Sequence, residues 1–262
     1  MDPQLLRSVA DRLEAGEDVV VVTVLDRQGS APATPGQKLI VTSSGHMAGT
    51  VGGGQLELEA IGQAKAVLGM VRAPFTWSAR LGPDLGMCCG GSAQMLIESF
   101  PAVGRAWVVG AGHVAHALAP QLRALSYQVH VTDARTEWVT TERFPGCELA
   151  DTEADEMPFV PRSRDVCLVM THDHRLDEMA IAVALPKAFG FVGGVGSRAK
   201  AARIKARLEL RGLAPDQIGR LVMPIGLDIG ARLPAEIAVA IAAQLISLKA
   251  AVPAPGRIGA LP

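Results

Sequence analysis

The 262-residue sequence has almost no net charge, few aromatics and few cysteines. Lysine and arginine number 25 against 26 aspartates and glutamates, giving a formal net charge of −1, so nothing in the composition attracts nucleic acid or an anionic membrane. Long apolar runs are missing too: the two longest, Val19–Leu25 and Ala238–Ile246, stop well short of the roughly 20 residues that span a bilayer. The opening stretch MDPQLLRSVADRLEAGEDVV is charged rather than leader-like, and the expectation is a cytoplasmic protein. In that reducing compartment the four cysteines, at 88, 89, 147 and 167, are expected to be thiols. Their spacing matches no paired CxxC pattern, so no structural zinc is expected.

What is present is apolar material, 49% of the chain, arranged in two halves with different periodicities. From Val19 to Phe100 the pattern is strand-rich (VVVVTVLD, KLIVTSSG, FTWSAR, SAQMLIESF), with one long helix expected over Gln55–Met70, where Leu56, Ala60, Ala64 and Val67 share a face. From Arg105 strands and helices alternate: AWVVG, a helix from His113, QVHVTD, DVCLVM, a helix from Asp177, FGFVGG, a helix from Arg198, RLVMPIG and a final helix from Pro234. Such alternation predicts a parallel sheet covered by helices. The fold class is therefore α/β: an N-terminal α+β domain over 1–101, a Rossmann-like domain over 102–251, and a tail over 252–262 whose proline and glycine content predicts flexibility.

Several glycine-rich turns sit where chemistry is expected. Strand AWVVG runs into Gly110-Ala111-Gly112-His113-Val114-Ala115, a GxGxxA turn, and Asp133 ends the next strand at the spacing of a dinucleotide fingerprint. Glycine there lets backbone turn tightly and approach a phosphate, with free amides at a helix start. His113 stands at that helix entrance, as a ligand contact or as a solvated helix-start residue. At further strand exits lie Thr171-His172-Asp173-His174 and Gly193-Gly194-Val195-Gly196-Ser197. His172 and His174 suit hydrogen bonding; a metal would need a third ligand from Asp133 or Asp177. Gly194, Gly196 and Ser197 offer amides to an anion, or simply form a close-packed turn. In the first half Gly52-Gly53-Gly54 opens a helix in the same way, with Glu57 and Glu59 expected to complement the helix dipole and Lys38 in a neighbouring loop. Finally, LGPDLGMCCGG sets Cys88 and Cys89 in a glycine-rich turn; Cys147 and Cys167 are expected to be buried thiols.

Seven stretches, taken in order, resemble the bacterial xanthine dehydrogenase accessory protein of the XdhC/CoxI family: GSAPATPGQKLIV, GTVGGGQLELEAI, MCCGG, VVGAGHVAHAL, THDHRLDEMAI, FVGGVGSRAK and PIGLDIGARLPAEIAVAI. The resemblance implies a chaperone rather than a turnover enzyme. Such a protein binds molybdenum cofactor (molybdopterin) as cargo, keeps it for sulfuration by a cysteine desulfurase and inserts it into apo-xanthine dehydrogenase, a step in the service of purine catabolism. It also implies a homodimer, for which the apolar faces of AEIAVAIAAQLI supply surface. Cys89 followed by Gly90 matches the family's CGG and becomes the candidate molybdenum contact; Cys88 is an extra beside it. Two readings from other classes stand against this one. An NAD(P)-dependent oxidoreductase would use the GxGxxA turn and Asp133, and a metal-dependent hydrolase would be built on His172, Asp173 and His174.

Overall fold

The structure is a computed structural model that describes residues 3–70, 73–81, 91–153, 156 and 159–250. Cys88, Cys89, Gly90 and the proline-rich tail lie outside the described residues. The chain divides between Ala102 and Val103 into two compact units.

The first unit runs α1 (Pro3–Glu14), β1 (Val19–Gly29), β2 (Lys38–Thr42), β3 (Gly45–Gly49), α2 (Gly54–Val67), β4 (Phe75–Leu81) and β5 (Gly91–Phe100). Its strands form one antiparallel sheet in the order β3-β2-β1-β5-β4. The unbroken valine run of β1 follows from cover on both faces. Val20, Val22 and Val24 pack with Leu56, Ala60, Ala64 and Val67 of α2, while Val19 and Val21 join Ile40 against Leu5, Val9 and Leu13 of α1. The expected face of α2 is therefore the buried one, although the helix ends at Val67 rather than Met70.

The second unit runs β6 (Arg105–Val109), α3 (His113–Ala124), β7 (Gln128–Thr132), β8 (Glu148–Ala150), β9 (Val166–Val169), α4 (His174–Ala184), β10 (Phe191–Gly194), α5 (Arg198–Leu210), α6 (Pro215–Gly219), β11 (Leu221–Val222) and α7 (Pro234–Ala250). All six strands are parallel, in the order β11-β10-β9-β6-β7-β8. Numbered along this unit alone, that is the 3-2-1-4-5-6 order of a doubly wound Rossmann sheet. Alternate residues serve opposite layers: Val108 and Leu168 pack with Leu118 and Leu122 of α3 and Ile241 and Leu245 of α7, whereas Cys167 and Val169 pack with Ile181 of α4 and Ile204 of α5. The strand order reverses between β6 and β9, which opens a crevice at their carboxyl ends.

Helix α4 begins at His174, three residues ahead of the expected Asp177, because Asp173 caps it by accepting a hydrogen bond from the Arg175 amide. His174 is thus the first residue of a helix rather than part of a loop.

Candidate functional site

The crevice at the reversal point brings together three of the residues singled out from the sequence. Gly110, Asp133 and His172 line it, with Thr132, Thr171 and Glu153 beside them. Its volume is about 10 Å³, room for one water.

The glycines of the GxGxxA turn divide the work. Gly110 has φ +107°, and a Cβ there would stand 2.5 Å from the carbonyl oxygen of Met170, so the approach of the β6 and β9 exits requires glycine. Ala115 is fully buried between α3 and the sheet. At Gly112, by contrast, a Cβ would meet nothing within 4 Å. Packing asks for nothing there.

Asp133 is buried and fully engaged. One carboxylate oxygen accepts the amide of Ala111 at 2.9 Å and Nη2 of Arg135 at 2.7 Å; the other accepts the Arg135 amide at 3.1 Å and its Nε at 2.8 Å. Burial, the largest single influence, pushes its pKa up, but the hydrogen bonds from Arg135 and Ala111 outweigh it and hold the carboxyl below its usual range. Beside it, the guanidinium carbons of Arg135 and Arg143 lie 4.6 and 4.7 Å from the centre of the Trp138 ring, and His113 meets the same ring edge-on at 5.7 Å. Arg143 also donates to the carbonyl of Ala111 at 3.1 Å, bracing the glycine turn.

Asp177, the other conceivable third metal ligand, is buried in an ion pair with Lys200 and accepts the amide and hydroxyl of Thr171 at 2.9 and 2.8 Å. Both candidate carboxylates are thus committed, and His172 and His174 stay exposed. Among the described residues no group of three His, Cys, Asp or Glu side chains is placed to hold a metal ion.

At the next strand exit the glycines lie against flexible side chains rather than backbone. A Cβ on Gly196 would stand 2.6 Å from Lys200 and from Met223, and one on Gly194 would stand 3.3 Å from Met223. Ser197 caps α5 by accepting the amide of Lys200 at 3.2 Å. Gly196 also borders a cavity of about 370 Å³, lined further by Arg198, Ile225, Asp228 and Ile237.

In the first unit the three glycines also differ. Gly52 has φ +125° and its Cβ would stand 3.0 Å from Pro32 and Ala33 backbone, while Gly53, φ +78°, faces open space. Glu57 reaches back to accept the Val51 amide at 3.3 Å and the Thr50 hydroxyl, so a carboxylate already sits at this helix start. Lys38 donates to the Thr23 hydroxyl at 2.7 Å. Burial pushes the thiols of Cys147 and Cys167 up, so neither is a thiolate at neutral pH.

Sequence reasoning missed Arg135, Trp138, Arg143 and Lys200. The signal for the first three was available: an Asp-x-Arg pair at a strand exit, and one of only three tryptophans inside the polar stretch DARTEWVTTER.

The XdhC Rossmann domain model matches residues 106–245 and the XdhC and CoxI family model matches residues 12–73. The chain is 28% identical over 233 residues to the uncharacterized protein YqeB of Escherichia coli (strain K12), covering 86% of this chain and 42% of that protein. It is 28% identical over 163 residues to a probable xanthine dehydrogenase subunit of Bacillus subtilis (strain 168), covering 60% of this chain and 47% of that protein. The chain thus spans less than half the length of both relatives. Among solved structures, a crystal structure of a xanthine dehydrogenase from Bacillus halodurans shares the fold, with a TM-score of 0.54 at 21% identity over 95% of both chains.

Proposed function

The chain belongs to the XdhC family, and from that premise we propose that it is an accessory protein of xanthine dehydrogenase that carries molybdenum cofactor. In this reading it binds the phosphate-bearing pterin, holds it while a cysteine desulfurase supplies the terminal sulfur, and passes it to the apo-dehydrogenase in the cytoplasm. The observation that carries the reading is the succession of the two family models along one chain, over residues 12–73 and 106–245. A relative named as part of a xanthine dehydrogenase supports it.

The residues present suit such a cargo at its phosphate end. Gly112 has open space where a side chain would project, and amides at the start of α3 suit an anion. For the metal end the donor is Cys89, a soft ligand for molybdenum, which lies outside the described residues. Metal analysis and fluorescence of the oxidised pterin, on protein purified from a cofactor-making host, test the reading. Bound molybdenum and pterin are expected, with both reduced in Cys89→Ala; protein free of both would overturn it.

The Rossmann strand order favours a second reading, an NAD(P)-dependent oxidoreductase. The accessory role expects no hydride transfer from NAD(P)H to a panel of carbonyl substrates, and steady turnover would decide for the dehydrogenase. We further propose a homodimer. Helix α7 buries Ala238, Ile241, Ala242 and Leu245 but leaves Val239 and Ile246 about half exposed, at 51% and 49%, which gives a second copy apolar surface to cover.

A further inference from the structure

We propose that the carboxyl end of β7 is a phosphomonoester site, in which the guanidiniums of Arg135 and Arg143, gathered at the indole of Trp138 beside the Gly110–Gly112 turn, bind a phosphate dianion.

In a dinucleotide-binding Rossmann sheet the acid that ends the second strand accepts hydrogen bonds from the ribose hydroxyls, which requires carboxylate oxygens open to the ligand. Asp133 stands at that position and has none to offer. Its two oxygens take four donors from its own chain, and the residue is only 7% exposed. What Asp133 does is hold the Ala111 amide in the turn and pin the Arg135 fork. The strand exit therefore presents donors where a ribose-binding site presents an acceptor.

A guanidinium carries five N–H donors. Arg135 spends Nε and Nη2 on Asp133, and Arg143 spends Nε on the Trp138 carbonyl and Nη2 on that of Ala111. Among the described residues Nη1 of neither has a partner. The buried acid facing these guanidiniums is Asp133; Glu137, which acts on Arg135, and Glu153, at the adjoining crevice, are both exposed. A phosphomonoester, with a charge of about −1.5 to −2 near neutral pH, suits the unpartnered guanidinium donors, which can form charge-assisted hydrogen bonds to its oxygens.

The inference stands whichever molecule brings the phosphate, a pterin cargo or the 2′-phosphate of an adenine dinucleotide. Calorimetry on the full chain in phosphate-free, low-salt buffer tests it with 2′-AMP, NADP⁺, neopterin monophosphate and NAD⁺, the last lacking a monoester. At least one monoester is expected to bind about tenfold or more tighter than NAD⁺, the scale of one charge-assisted hydrogen bond. Arg143→Ala should weaken monoester binding by a larger factor than NAD⁺ binding, which it touches only through the turn it braces. Arg135→Ala should weaken the monoester and strengthen NAD⁺, because it uncovers Asp133. If Arg143→Ala fails to fold, since it braces the turn, the wild-type comparison and Arg135→Ala carry the test. Binding of neopterin monophosphate alone makes the pterin the source, binding of 2′-AMP and NADP⁺ alone makes it the dinucleotide, and either supports the site. NAD⁺ binding as tightly as every monoester, no monoester binding at all, or Arg135→Ala weakening both classes alike would overturn it. Cofactor content of the purified protein is a separate readout, so failure here is distinguishable from failure of the accessory role.

Discussion

At the amino ends of the parallel strands, charge and glycine are consumed by packing; at the carboxyl ends of the same strands, part of both is left over. Asp165, with no exposed side-chain surface, stands just before β9 and accepts from the Arg105 amide at 2.9 Å, the Arg105 Nε at 2.8 Å and the Arg162 amide at 2.9 Å. Gly190 and Gly104 on that edge would place a Cβ 2.0 Å from the Ser163 carbonyl and 2.9 Å from the Arg164 carbonyl. Asp165, Arg105 and the two glycines are explained by what they touch, while Nη1 of Arg162 is buried on that edge without a partner among the described residues. At the opposite edge Gly110 is explained in the same way, but the glycine at 112 and the spare donors of Arg135 and Arg143 are not. In open α/β sheets ligands bind outside the carboxyl ends of the strands, and this is where structural necessity runs out in the second unit.

Substitutions at the two edges should differ in what they cost. The largest expected effect is at the amino edge: Asp165→Ala strands a largely buried Arg105 and should lower stability by about 3–5 kcal/mol, read as a denaturant midpoint. Next come the two glycines of one turn. Gly110→Ala should cost at least about 1–3 kcal/mol from its positive φ alone, before the clash with Met170 is counted. Gly112→Ala should cost less than about 1 kcal/mol, a helix-cap preference, yet impair ligand binding. Equal stability losses at the two positions would erase the distinction drawn here.

The smallest effect belongs to the row between the edges, where His130 stacks on Trp107 with ring centres 4.4 Å apart. Burial lowers the His130 pKa below its ordinary 6.5, Glu148 acting against this and Arg105 with it. The folded chain therefore binds fewer protons than the unfolded one just below pH 6.5. Stability from this group is present above that pH and is lost as pH falls through 6.5 towards the folded value. His130→Phe keeps the stacked ring and should flatten that slope in denaturant titrations; an unchanged slope would place the titration elsewhere.

How much of this was legible beforehand depended on range. The strand–helix alternation, the GxGxxA turn and the buried face of α2 are local patterns, and each appears in the structure. The start of α4 was misplaced because an N-cap at Asp173 outweighed the apolar spacing. Strand β8, Glu148–Ala150, is too short to show an alternation of its own. The link from Lys200 to Asp177 joins two helices, and the locking of Asp133 by Arg135 depends on rotamers no periodicity reveals. The dinucleotide spacing that makes Asp133 a cofactor-binding candidate carries no information on that lock.

The most direct test of the accessory role is transfer. Protein loaded in a cofactor-making host, stripped of free cofactor and mixed with apo-xanthine dehydrogenase should generate urate-forming activity in proportion to the molybdenum it carries, and Gly112→Val, still folded, should carry and transfer less. Molybdenum-free protein, or loaded protein that leaves the apo-enzyme inactive, would contradict the account.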